Sequence, residues 1–187
     1  MDLAIMSGEQ YFGKANITFK MNDKKDVTQP LFLDFLGSKV QSLVINGKPS
    51  DPKVAFNGNR IQLDQKLMKP GQVNVITMNI LNKYRSDGTG LHSFTDHTDN
   101  NQYLFTQFEV DNCHFVMPVF DQPDLRANLI LNTIAPKQWV VISNERDRVF
   151  ATKEVEELKN SLTVVGKALG VDAEGLKTES YKCDFFE

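Results

Sequence analysis

Gln107 and Glu109 are the two side chains whose types and spacing could do chemistry, and they close the otherwise apolar stretch YLFTQFE (Tyr103–Glu109). Aromatic and β-branched residues with few turn formers predict a strand here. Alternate residues of a strand share a face, so Tyr103, Phe105, Gln107 and Glu109 are expected to point one way, and Leu104, Thr106 and Phe108 the other. The first face starts with two rings and ends with an amide and a carboxylate roughly 7 Å apart. Such a pair can grip a small cationic group.

Other candidate groups carry less. Cys113 and His114 are neighbours, but adjacent strand residues face opposite ways, so no nucleophilic dyad is expected. His92 and His97 sit in the polar, glycine-bearing run Asn82–Gln102 without His-x-x-x-His spacing or a following Glu, which reads as solvated loop histidines rather than metal ligands. Asp121 and Asp124 flank Pro123 in FDQPD, where carboxylates can accept backbone N–H bonds and fix a corner. Cys113 and Cys183 are too few for a disulfide framework or a zinc knuckle and read as two reduced thiols of a cytosolic protein.

Composition narrows the class. A net charge of −3 with no basic run argues against nucleic-acid partners. No apolar stretch approaches the ~20 residues of a membrane span. The opening residues MDLAIMSGEQ lack the basic and apolar regions of a secretory signal, so the expected location is cytoplasmic. The 187 residues are enough for one core, read as a single domain over 1–187.

The elements that must position Gln107 and Glu109 are short strands. Ala15, Ile17, Phe19 and Met21 alternate with polar residues, which predicts a half-buried antiparallel strand over Lys14–Met21. PLFLDFLG (Pro30–Gly37) and KVQSLVIN follow, the latter running into Asn46-Gly47, a strong hairpin signal. Asn57-Gly58 predicts a tight turn between VAF and RIQL, and Pro70-Gly71 a break before Val73–Leu81. ANLILNTI (Ala127–Ile134) and QWVVIS are expected strands, with Trp139 as a core anchor, and YKCDFFE (Tyr181–Glu187) as the start of another. Even spacing and turn residues between strands indicate an all-β fold of mainly antiparallel sheets. One stretch differs. Val155, Leu158, Leu162, Val165 and Leu169 recur three and four apart, predicting a helix over about 152–169 with Thr152 as N-cap and Gly170 as its stop.

Three ordered blocks carry a resemblance: DGTGLHSFTDHTDNNQ (Asp87–Gln102), YLFTQFE with MPVFDQPDLRA, and APKQWVVISN (Ala135–Asn144). Together they resemble the N-terminal domain of zinc aminopeptidases of the aminopeptidase N type, a gluzincin metallopeptidase family. The resemblance runs collinearly from about Phe12 to Asn144. It departs at Val110, Phe115 and Val119, where the family usually has Pro, Arg and Cys, and the helix over 152–169 reads as an insertion.

The resemblance implies a saddle-like, multi-sheet β domain that leans on a separate thermolysin-like catalytic domain. That domain, absent from this chain, is expected to hold the zinc, and none of its motifs occurs in these residues. The chain alone is expected to be inactive and to hold no cofactor. Gln107 and Glu109 match the family's Gln-x-Glu, whose Glu holds the free α-ammonium of a peptide N-terminus. Two readings stand. In one, the chain is the substrate-anchoring wall of an aminopeptidase and its partners are the catalytic domain and peptide N-termini; its end in mid-strand at Glu187 favours this. In the other, it is a non-catalytic standalone descendant acting as a structural or protein-interaction subunit, as the inserted helix and the missing Arg suggest.

Overall fold

The structure, a computed structural model, describes residues 1–22 and 30–146, and the backbone alone of 176–183. Its strands are β1 (Asp2–Ala4), β2 (Gln10–Lys20), β3 (Phe32–Asp34), β4 (Lys39–Ile45), β5 (Lys48–Ser50) and β6 (Arg60–Gln62). They continue with β7 (Val73–Lys83), β8 (Gly90–Thr95), β9 (Gln102–Gln107), β10 (Leu129–Pro136) and β11 (Leu176–Cys183). One short helix, α1 (Pro52–Ala55), and two 3₁₀ turns, Gln65–Leu67 and Cys113–Phe115, interrupt them. The chain divides into two compact units, one comprising Met1–Phe12 with Arg126–Glu187, the other Gly13–Leu125.

In the first unit β10 lies between β1 and β11. β1 runs parallel to β10 with Asp2 opposite Asn132, and β11 runs antiparallel to it from Leu129↔Cys183 to Pro136↔Leu176. The Asn132 amide donates to the Asp2 carboxylate at 2.7 Å, fixing this register from the side chains as well. Leu3, Ala4, Tyr11, Phe12, Ile134 and Ala135 are buried.

In the second unit β7 is central. Its buried face reads Asn74, Ile76, Met78, Ile80 and Asn82, a period-2 row with an asparagine at either end. β4 pairs antiparallel with β7, with a register shift between Val40 and Ser42, and forms a hairpin with β5. The hairpin turns at Asn46 and Gly47, both with positive φ (51° and 80°), as a type I′ turn requires. β3 pairs with β6, and β8 with β9, both antiparallel. Leu33, Phe35, Leu43, Ile45, Ile61 and Leu63 join the β7 row in the core.

The all-β, mainly antiparallel architecture agrees with the sequence, and four local expectations change. VAF is not a strand, because Asp51 accepts the Lys53 N–H at 2.9 Å and Pro52 occupies the first helical position, so Pro52–Ala55 coils. QWVVIS is not a strand either: Val140 and Ile142 are more than four-fifths exposed and Trp139 is only half-buried, its N–H bonded to Pro136 O at 3.0 Å in a turn. The run 82–102 is not all loop but contains β8. β11 begins at Leu176, ahead of the expected Tyr181. The helix expected over 152–169 lies outside the described residues. Among the described residues no helix is long and apolar enough to cross a membrane.

Candidate functional site

β9 ends at Gln107 because its partner runs out there: the last β8–β9 pair is Gly90↔Gln107. Tyr103, Phe105 and Gln107 share an exposed face, as their alternation demands. Phe94 of β8 adds to it, stacking on Tyr103 with centroids 5.4 Å apart, and His92 packs on Phe105 at 4.7 Å. His92 is therefore a strand residue and not a solvated loop histidine; its Nδ1 accepts the Gly88 N–H at 2.9 Å. His97 lies exposed in the turn between β8 and β9.

Glu109 does not continue the strand face. Without a pairing partner beyond Gln107 the chain turns, and Glu109 is set by a local knot of hydrogen bonds instead. Its N–H donates to Gln107 Oε1 at 3.0 Å, and its carbonyl accepts the Asn112 side-chain amide at 2.6 Å. The Asn112 N–H closes the loop onto Phe108 O at 3.0 Å. The Glu109–Val110 peptide is cis. Gln107 and Glu109 are both exposed, and the Glu109 carboxylate has no hydrogen bond or ion pair among the described residues. The Gln107 side chain meets the Glu109 backbone, through a turn rather than a pleat.

The 3₁₀ turn Cys113–Phe115 follows directly. It is seated on three sides: Leu36 N–H donates to His114 O at 2.9 Å, the Asn82 amide to Phe115 O at 2.9 Å, and the His114 N–H to Asp121 Oδ2 at 3.0 Å. The His114 ring also meets Asp121 Oδ2 through Nδ1 at 2.6 Å. Asp121 thus accepts a backbone N–H as expected, but its histidine partner was not foreseeable. Burial, with Asp121 nearby, pushes the Cys113 thiol up to about 12, which keeps it protonated and rules out a thiolate nucleophile at neutral pH.

Arg85 was missed by the sequence reading. Its guanidinium lies 4.2 Å over the Phe115 ring and pairs with Asp87, and its Nε also reaches Thr89 at 2.8 Å. The hydrogen bonds from Arg85 and then Thr89 hold the Asp87 carboxyl well below the usual carboxylate range. An open cavity of about 330 Å³ is lined by Leu36, Asn82, Arg85, Asp87 and Phe115 among others. Two of its charged side chains, Arg85 and Asp87, pair with each other. Among the described residues no three His, Cys, Asp or Glu side chains cluster as metal ligands, so nothing described here fits a zinc ion.

Comparison with known proteins identifies the family. Residues 1–164 match the Peptidase M1 N-terminal domain, and the chain belongs to that family: it is an N-terminal domain of the M1 zinc aminopeptidases. Aminopeptidase N of Streptomyces lividans is 33% identical over 139 residues, covering 72% of this chain and 16% of that protein. The M1 zinc metallopeptidase of Deinococcus radiodurans shares the fold at 14% identity and a TM-score of 0.66, covering 97% of this chain and 37% of its own. The same enzyme bound to a Tyr-Ser-Ala substrate (TM-score 0.63) and a two-domain M1 zinc metallopeptidase bound to L-arginine (TM-score 0.65) are similarly related, each at 14% identity. This chain therefore spans 16% and 37% of the length of these relatives.

Proposed function

We propose that this domain forms the substrate-anchoring wall of a zinc-dependent aminopeptidase, with Glu109 holding the α-ammonium of a peptide and Gln107 orienting its first peptide unit. The single observation that carries the reading is the state of Glu109: an exposed carboxylate, unpaired among the described residues, on a residue whose backbone N–H and C=O are both hydrogen-bonded.

An exopeptidase must tell a chain terminus from an internal amide, and the terminus carries a positive charge. A carboxylate answers it with a charge-assisted hydrogen bond, stronger than a neutral one. Because Gln107 Oε1 already accepts the Glu109 N–H, its Nε2 hydrogens are the open ones, suited to a peptide carbonyl. Holding both groups sets the first peptide bond in place, a positioning effect. The catalytic domain of the same polypeptide is the proposed partner; zinc bound there supplies Lewis-acid and water-activating chemistry. The proposed location is the cytoplasm.

Two measurements test this. The reading frame downstream of Glu187 should encode H-E-x-x-H, and an immediate stop codon would overturn the reading in favour of a standalone, non-catalytic module. In the full-length protein Glu109→Ala should raise KM and lower kcat/KM for free-amine peptides by roughly 10- to 100-fold, the equivalent of a hydrogen bond to a charge at ~1.5–3 kcal/mol. Unchanged kinetics would remove the role assigned to Glu109.

A further inference from the structure

We infer that Asp121, a residue that does not approach the anchor itself, is the positioning residue for Glu109. The inference rests on the reading of Glu109 given above and extends it to the support beneath.

Glu109 lies past the end of β9, so no sheet ladder holds it. The sheet holds the turn at its Gln107 end through the Gly90 pair, and the bonds of Phe108, Glu109 and Asn112 join residues of the turn to each other, so its far end needs a second hold. That second hold comes from the next element. Asn112 leads straight into the 3₁₀ turn Cys113–Phe115, whose Phe115 N–H returns to Asn112 O at 3.2 Å, so the two turns move as one piece.

Among the contacts that tie this piece to the rest of the fold are the His114 and Phe115 carbonyls, held by Leu36 N–H and Asn82, the Phe115 ring under Arg85, and the His114 N–H and ring, both held by Asp121 Oδ2. The first two contacts pull on carbonyls from the β3 and β7 side. Asp121 is what grips the donors. Its side chain is 17% exposed and that of His114 22%, so water replaces the carboxylate poorly if it is removed. Asp121 is itself tied close to β3, since Val119 and Asp34 exchange both backbone hydrogen bonds, at 2.8 and 3.1 Å. The path from the core to Glu109 thus runs from β3 through Val119, Asp121 and His114 to the Asn112 turn. A carboxylate displaced by about 1 Å can lose up to a hundredfold in a positioned interaction.

The test separates amine recognition from everything else. In the full-length zinc enzyme, calorimetric titration with an α-amino hydroxamate and with its des-amino counterpart gives two dissociation constants. Their ratio reports what the amine adds, independent of metal ligation and of turnover. Asp121→Ala should lower that ratio by roughly tenfold or more, with the des-amino compound bound as in the parent. Asp121→Asn, whose amide oxygen can accept both His114 donors, should restore it. In a Glu109→Ala background Asp121→Ala should change nothing further, because it acts through Glu109.

A ratio unchanged by Asp121→Ala while Glu109→Ala lowers it overturns the positioning role alone. A ratio unchanged by Glu109→Ala overturns the anchor reading itself. Equal weakening of both hydroxamates by Asp121→Ala would also overturn the inference, marking a general structural role. Should Asp121→Ala not fold, His114→Ala, which removes the ring contact and keeps the backbone N–H, carries the same prediction and the same refutation.

Discussion

Asn82 ends the buried row of β7 and is the polar hub of the second unit, so its removal should be costly in a way that can be worked out. The side chain is 6% exposed. Its amide donates to Leu36 O at 3.1 Å and Phe115 O at 2.9 Å, and its Oδ1 accepts from Ser38 N–H at 3.2 Å and from Lys83 N–H at 2.9 Å. Asn82→Ala strands two carbonyls and the Ser38 N–H from distant segments, while the Ser38 hydroxyl, 3.3 Å from Oδ1, can rotate to another acceptor. An unmet buried partner costs ~1–3 kcal/mol, and these are only partly buried, so the low end applies to each and the sum is about 3 kcal/mol. With a urea m-value of about 2 kcal/mol/M, the unfolding midpoint should fall by roughly 1.5 M. Equilibrium urea unfolding followed by far-UV circular dichroism measures this. A fall of less than about 0.5 M at unchanged m would refute the hub, showing that water enters and satisfies the three partners.

Two further outcomes follow from the same geometry. Cys113 should resist Ellman's reagent in the folded protein at pH 8 and react once unfolded, with the labelled residue located by mass spectrometry. Its raised thiol means the folded state keeps a proton that the unfolded state loses, so stability should decline as pH rises from an ordinary thiol's 9.0 towards about 12; rapid native labelling or a flat alkaline profile would contradict it. Gly90→Ala should destabilise by about 2 kcal/mol or more, because φ is +61° and a new Cβ would stand 2.8 Å from Phe115 Cβ, beside the last pair of β9; a neutral midpoint in urea would show that this approach relaxes freely.

The sequence reveals most where one strand's own pattern decides the outcome. β2 and β7 alternate plainly, Asn46-Gly47 names its own turn, and Gln107 stands out as an amide at the end of an aromatic row. It reveals less where the partner decides. Glu109 reads as the next residue of a strand, yet β9 stops when β8 does, a fact written at Gly90 rather than near Glu109. β8 itself is hidden among Gly88, Gly90, Ser93 and Asp96, and only its six register pairs with β9 expose it. Asn82 looks like the polar residue that starts a loop, and only its contacts with Leu36, Ser38 and Phe115 show it to be buried. Asp121 announces a corner, but that a histidine seven residues earlier shares its oxygen depends on how the chain folds back. QWVVIS has the composition of a strand but does not take a strand's conformation, and propensity alone does not make a sheet.

The pairing of β1 with β10 bears on how the chain comes off the ribosome. Asp2 finds its parallel neighbour at Asn132, and hydrogen bonds join Met1 to residues 130 and 132. During synthesis at a typical rate, roughly ten seconds separate the emergence of the two strands. Through that interval the second unit's residues, all of which lie between them, can collapse on their own, before the parallel pairing with β10 can form. Such a high-contact-order closure is slow by nature, so the parallel β1–β10 ladder is expected to form after the second unit has collapsed.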